Sequence, residues 1–200
     1  MMRRSTPSAD SSRVIVVGLG NPGKQYAHTL HNVGQSAVEL LASRVSASLK
    51  SGKDRALVAE CRIGDCPVVL VVPVTYMNDS GAAVSAVVRR FKLTDMERLV
   101  IVHDELDLEP GSVRVKVGGG LAGHNGLRSI NQHLKTTDFV RVRIGVGKPR
   151  SKEQGADHVL SPMSAAARRE MDVNVAVAAD AVEAIIARGA VAAMTEFNGK

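Results

Sequence analysis

Apolar residues occur along this chain in short runs whose spacing switches between strand-like and helical. Residues 14–17, Val-Ile-Val-Val, form a β-branched run broken at once by Gly-Leu-Gly-Asn-Pro-Gly, the pattern of a buried strand stopped by a glycine turn. From 32 to 44, Val33, Ala37, Leu40 and Leu41 recur at helical spacing. Residues 56–63 and 67–72 read as two strands joined by a turn at Gly64 and Asp65, residues 80–91 as a helix, and 99–103 as a short buried strand ending at Asp104. Over 112–117 valines alternate with basic residues, as in a half-exposed strand. There follow a second glycine-rich loop at 118–126, a helix over 126–134, and a strand over 139–146 with Arg141 and Arg143 on one face. Residues 148–162 read as a polar connection. Over 164–187, Met171, Val175, Ala178, Val182 and Ile185 keep a helical stripe, and Gly189 is placed to stop it. Strands alternating with helices predict an α/β fold on a largely parallel sheet. No repeat or linker divides the chain. Residues 1–12 read as a disordered polar tail, and 13–198 as one domain.

Composition narrows this picture. With 44% hydrophobic and 23% charged residues the chain is an ordinary globular sequence, and its 200 residues suffice for one core without disulfides or metal. Three Phe, two Tyr and no Trp leave the core to Val, Ala, Leu and Ile. A net charge of +6 is a mild bias toward polyanions such as RNA, and proteins that bind no nucleic acid also carry such a charge. Cys61 and Cys66 form one CxxxxC pair without the second half of a zinc site, so they read as reduced thiols. The longest apolar run, 66–74, is too short to cross a bilayer, and residues 1–12 lack the apolar stretch of a secretory signal. The expected compartment is the cytoplasm.

In α/β sheets, ligands bind outside the carboxyl ends of parallel strands. That rule selects Asn21 after the first strand, Asn78 after the strand at 67–72, Asp104 at the end of 99–103, and His124 and Asn125 in the second glycine loop, provided that the strands are parallel. Hydrolysis of an ester needs a base for water, best a His; a carboxylate to orient it; and neutral donors such as Asn amides for the oxyanion. Each residue also has a plainer reading: Asn21 as a turn residue, His31 as a structural histidine, Asp104 as part of a solvated acidic turn. The first glycine loop is not GxGxxG, and Pro22 removes a backbone donor, which argues against a dinucleotide. Lys116, Arg128, Arg141, Arg143 and Lys148 form either a soluble face or a phosphate-contacting patch. Tyr26 and Tyr76 could stack on a base or ribose, or be ordinary half-buried tyrosines.

At this point a resemblance adds to the residues. GLGNPGKQYAHTLHNVG (18–34), PVTYMNDSG (73–81), HDELDLEPG (103–111) and GGGLAGHNGLRSI (118–130) resemble, in order and spacing, the signatures of bacterial-type peptidyl-tRNA hydrolases, and RVRIGVGKP (141–149) resembles the strand that follows. The likeness covers roughly 14–160. It implies a single catalytic domain with a twisted mixed sheet flanked by helices, including helices at the C-terminal end. It implies a monomer that hydrolyses peptidyl-tRNA without metal or cofactor, with no membrane or obligate protein partner. His31 resembles the family's catalytic base, Asp104 its carboxylate partner, and Asn21 an oxyanion and substrate contact. Asn78 and Asn125 resemble amides that hold the peptide backbone and the tRNA 3′ end. Tyr26 and Met77 match site-lining positions, His124 stands beside a gate loop, and Lys116 and Arg143 match positions that grip tRNA phosphate. One departure is Leu121–Ala122, where the family usually has glycine or a polar residue; their Cβ atoms narrow the backbone space of the loop. The rival readings are a non-catalytic RNA-binding protein, a nucleotide-binding α/β protein, and an unrelated amidase or peptidase.

Overall fold

The computed structural model describes residues 13–149, 151 and 154–199; the head at 1–12, expected to be disordered, lies outside the described residues. Seven strands make one sheet: β1 (Val14–Gly18), β2 (Lys50–Ser51), β3 (Ala56–Ile63), β4 (Cys66–Pro73), β5 (Leu99–Glu105), β6 (Val113–Val117) and β7 (Val140–Gly145). Their order is β2-β3-β4-β1-β5-β7-β6. The four central strands β4, β1, β5 and β7 are parallel, while β2 and β3 on one side and β6 on the other pair antiparallel. The sheet is therefore mixed, and the continuous apolar runs lie in its parallel centre, where both faces are covered.

Side chains alternate between two cores. Val14, Val16, Val100, Val102, Val140 and Val142 face α1 (Val33–Arg44) and the C-terminal helices α5 (Ala165–Arg188) and α6 (Ala190–Asn198). Ile15, Val17, Leu99, Ile101 and Phe139 face α2 (Ser80–Arg90) and α3 (Asn125–Leu134). With few aromatics, the first core closes because alanines at 178, 179 and 181 bring α5 near the sheet, all three being fully buried. Ser164 caps α5 by accepting from the Ala167 N–H, and the backbone of Gly189, at φ 85°, separates α5 from α6.

One glycine places the chemistry. A Cβ on Gly34 would lie 2.2 Å from the Val102 carbonyl oxygen, so only glycine lets α1 rest directly on β5. That contact carries His31, in the 3-10 turn Leu30–Asn32 ahead of α1, to the carboxyl end of β5.

The structure departs from the sequence expectations in four places. β5 extends to Glu105, so Asp104 lies within the strand. The polar connection contains a short helix, α4 (Gly155–Leu160), and the two-residue β2 has no period that a pattern could reveal. Most consequential, β6 is antiparallel to β7. The link from β5 to β6 spans only residues 106–112, too short for the crossover of roughly a dozen residues that a parallel strand needs. The second glycine loop thus leaves the sheet at the edge opposite Asp104: Gly118 N–H bonds to the carbonyl of Phe139, just before β7 begins. The rule of carboxyl ends holds for Asn21, Asn78 and Asp104, not for this loop, which reaches the same edge by running back along the sheet.

Candidate active site

Asp104 is 3% exposed, and its Oδ1 meets two imidazoles: His31 Nδ1 at 2.8 Å and His124 Nε2 at 3.0 Å. His31 comes from the turn ahead of α1 on one face of the sheet, and His124 from the residue ahead of α3 on the other. Burial pushes the Asp104 carboxyl up, but the His124 and His31 imidazoles outweigh burial and hold it well below the usual carboxylate range. Asp104 is a carboxylate at neutral pH, so both imidazoles donate to it.

The two histidines are not equivalent. His124 caps α3 with its ring: Nδ1 accepts from the N–H groups of Gly126 at 3.1 Å and Leu127 at 3.3 Å. Helix amides therefore fix Nδ1 as an acceptor and Nε2 as the N–H that donates to Asp104. A proton on Nδ1 would face two backbone donors, so His124 is a poor base. His31 has its Nδ1–H on Asp104 and no partner for Nε2 among the described residues; it lines a cavity of about 300 Å³. Its Nε2 lone pair is the one available to deprotonate water. A third imidazole, His103, is fully buried beside His124, with ring centroids 4.9 Å apart, and its Nδ1 donates to the Asp104 carbonyl at 2.7 Å. Burial, aided by His124, holds the His103 imidazole down to about 3, so it stays neutral.

His31 Nδ1, Asp104 Oδ1 and His124 Nε2 lie within 4.8 Å of one another, a donor set that suits a transition metal by type. The tautomer of His124 opposes it: a metal on Nε2 would move the ring proton to Nδ1, against the Gly126 and Leu127 amides. These residues do not fit a metal through His124.

Asn21 is held from three sides. Its backbone N–H donates to Asn32 Oδ1 at 2.8 Å, Asn32 Nδ2 donates back to the Asn21 carbonyl at 2.9 Å, and Asn21 Oδ1 accepts from the Met77 N–H at 2.8 Å. With Oδ1 committed, the Nδ2 of Asn21 is the group left to donate to an oxyanion. Sequence reasoning missed Asn32. The sequence shows only an Asn ahead of α1; in the structure its side chain makes no capping bond and brackets Asn21 instead.

The cavity is closed by Leu106, by Ala122 to Asn125 of the glycine loop, and by Gly155, Ala156, Val159 and Leu160 of α4. Sequence reasoning missed α4 too, since a six-residue helix leaves too little period. α4 is moored close to the base: Thr29 and Pro162 form an isolated bridge, and the Met163 N–H donates to the His28 carbonyl at 2.9 Å. Ala122, flagged as a departure, adopts φ 47°, a left-handed backbone that disfavours any Cβ. Met77 is buried and packs against the first turn of α3, since a Cβ on Gly126 would lie 2.6 Å from its sulfur. Asn78 and Tyr76 are exposed on either side of it, and Asn125 is exposed at the cavity rim. Tyr26 is half-buried in its own 3-10 turn and does not line the cavity.

The basic residues separate into different environments. Arg143 Nε donates to buried Glu105 at 3.0 Å, and exposed Lys148 pairs with Asp107. Arg141 is buried and bonds to loop carbonyls, so it is not part of a surface patch. Among the described residues, half-buried Lys116 and exposed Arg128 have no acidic partner.

Known proteins resemble this chain over nearly its whole length. Residues 15–200 match the family model described as peptidyl-tRNA hydrolase. The chain is similar to a peptidyl-tRNA hydrolase of Kineococcus radiotolerans, 47% identical over 191 residues, covering 92% of this chain and 96% of that protein. It is similar to one of Leifsonia xyli subsp. xyli, 50% identical over 186 residues, covering 92% and 96%. The crystal structure of peptidyl-tRNA hydrolase from Acinetobacter baumannii superposes with a TM-score of 0.88 at 39% identity, covering 94% of this chain and 95% of that one. Matched over nearly its whole length by the family model and by these relatives, the chain belongs to the peptidyl-tRNA hydrolase family.

Proposed function

We propose that this protein hydrolyses the ester joining a peptide, or an N-blocked amino acid, to the 3′ ribose of tRNA, with His31 as general base, and so returns free tRNA to translation. The observation that carries the assignment of the base is Asp104 Oδ1 taking hydrogen bonds from His31 and from a tautomer-locked His124, which leaves His31 Nε2 toward the cavity.

His31 removes a proton from a water that attacks the ester carbonyl. Asp104 steadies the imidazolium that forms. The Asn21 amide, its backbone held by Asn32 and its Oδ1 by the Met77 N–H, donates to the developing oxyanion. The imidazolium then returns its proton to the departing ribose oxygen, and acid and tRNA separate. Asn78 and Asn125 hold the peptide backbone and the tRNA 3′ end, Met77 and Tyr76 flank Asn78 after β4, and Tyr26, away from the cavity, contacts the tRNA and not the reacting ester. His124 is an Asp104 partner and helix cap. Lys116 and Arg143 contact tRNA phosphate. A charged α-amine would mismatch the amides that meet the peptide backbone, so free aminoacyl-tRNA is a poor substrate. Residues 13–198 act as one catalytic domain, monomeric and in the cytoplasm. Among the described residues no helix is long and apolar enough to cross a membrane.

The test is incubation with N-acetyl-aminoacyl-tRNA and measurement of the blocked amino acid released. Release that outpaces spontaneous hydrolysis is the expected result, and release at the spontaneous rate would overturn the reading.

A further inference from the structure

Arg141 is a buried cation that the reaction above does not use. Its side chain is all but inaccessible, at 2% exposure, and among the described residues no carboxylate bonds to it. Instead Nη1 donates to the Gly120 carbonyl at 2.5 Å and Nη2 to the Gly119 carbonyl at 2.6 Å, and the guanidinium lies 5.1 Å from the Phe139 ring centroid. Among the described residues its Nε has no partner. A buried charge that Glu105 supports without bonding to it is destabilising unless dipoles are aimed at it. Here the dipoles belong to the loop that has to find its way back along the sheet.

The loop starts beside Phe139 and ends with His124 on Asp104, which pairs in register with Ile144. It covers that distance with left-handed backbone at Gly118, Gly119, Ala122 and Gly123, at φ 61°, 95°, 47° and 74°. Such a segment has little else to hold it. Gly119 and Gly120 are exposed, and Leu121 is its one side chain packed on the core. The paired donors of a guanidinium can fix two successive carbonyls at once, which a lysine ammonium cannot do with the same geometry.

We propose that Arg141 is a positioning residue: by clamping the Gly119 and Gly120 carbonyls it sets the path of the loop, so that His124 keeps its Nε2–H on Asp104 and Asn125 stays at the cavity rim. This rests on the site assigned above. Arg141 differs in kind from Arg143 one position along the same face, which answers an acidic side chain and stands half-exposed.

The test compares Arg141→Met, which fills the space without donors, and Arg141→Lys, which keeps the charge but not the fork, with the unaltered protein. Amide exchange at Leu121–Asn125 is expected to quicken at least tenfold in Arg141→Met while the amides of β1 and β5 keep their rates. Turnover of N-acetyl-aminoacyl-tRNA should fall about tenfold in kcat with little change in KM, and the salt dependence of tRNA binding should be unchanged. Arg141→Lys should fall between the two, and it carries the test if Arg141→Met does not fold. Loop exchange and kcat equal to those of the unaltered protein would overturn the proposal. So would a shallower salt dependence in Arg141→Met, which would make Arg141 a phosphate contact. If the unaltered protein releases no blocked amino acid, the functional reading fails, and the exchange measurement still decides the clamp.

Discussion

The His31–Asp104–His124 cluster and the basic residues on and around β6, α3 and β7 both hold charge, but they hold it differently. In the cluster the hydrogen bonds fix which atom donates and which accepts. Asp104 accepts from both imidazoles, helix amides dictate which His124 nitrogen carries the proton, and Asn21 is bracketed by Asn32 and Met77. The basic residues have no such over-determination. Lys116 and Arg128 lack acidic partners, Arg143 leans on Glu105, and Lys148 on Asp107. A buried, over-determined cluster stabilises charge at one point, which suits a transition state. A loosely held basic face suits a polyanion whose phosphates can be met in several ways. Substitutions in the first should therefore act on the chemical step, and in the second on binding and its salt dependence.

The largest effect is expected from Asp104→Asn, which removes the charge that supports the His31 imidazolium and permits the wrong tautomer. Turnover of N-acetyl-aminoacyl-tRNA should fall by about 10³- to 10⁴-fold with tRNA binding retained. A loss below tenfold would detach Asp104 from the reaction.

His103 sharpens the same comparison through pH. An unfolded histidine takes up a proton near pH 6.5, whereas His103 in the fold resists it until about 3. Between these values the unfolded state binds more protons, so stability falls as pH falls. The loss by pH 4 is on the order of 3 kcal/mol. Asp104 works below that window: its depressed carboxyl contributes stability above the usual carboxylate range, which is lost as pH drops beneath it. Denaturant unfolding of His103→Asn between pH 7 and 4 should be flatter than that of the unaltered protein. Parallel curves would mean that His103 is not the group resisting protonation.

Asn21→Asp keeps the oxygen that accepts from Met77 and removes the amide donor. A loss of about 10²-fold in kcat is expected, the size of one oxyanion donor. An unchanged kcat would move the oxyanion contact elsewhere. At the small end, Lys116→Ala should weaken tRNA binding a few-fold, lower the salt slope by about one and leave kcat nearly intact. Arg143→Gln should do the same, less cleanly, because it strands Glu105. An unchanged slope in both would place the phosphate contacts on other residues.

What could be read from the sequence follows the same division. The β-branched runs at 14–17 and 99–103 lie in the parallel centre of the sheet because burial on both faces imprints a continuous apolar run. Asp104 and His124 stood out by the rule of carboxyl ends, and His31 only through the resemblance carried by the motif at 18–34. Their meeting on one carboxylate oxygen was not legible, since it depends on Gly34 letting α1 touch β5 and on the glycine loop turning back. The direction of β6 was readable in principle from the short link at 106–112, which leaves no room for a crossover. Arg141 was grouped with surface cations because alternation along β7 gives only its face, whereas its burial depends on a loop twenty residues earlier. Asn32 and α4 were missed for a related reason: one acts through a side chain that declines its local cap, and the other is too short to show a period.

The central claim is that His31 and not His124 is the base, decided by which ring nitrogen is free. Single-turnover hydrolysis of N-acetyl-aminoacyl-tRNA by His31→Asn and His124→Asn tests it directly. Asparagine can still cap α3 at position 124 while withdrawing the Nε2–H from Asp104. The account predicts a loss of about 10³-fold or more for His31→Asn and about tenfold for His124→Asn. An equal or larger loss in His124→Asn would contradict it.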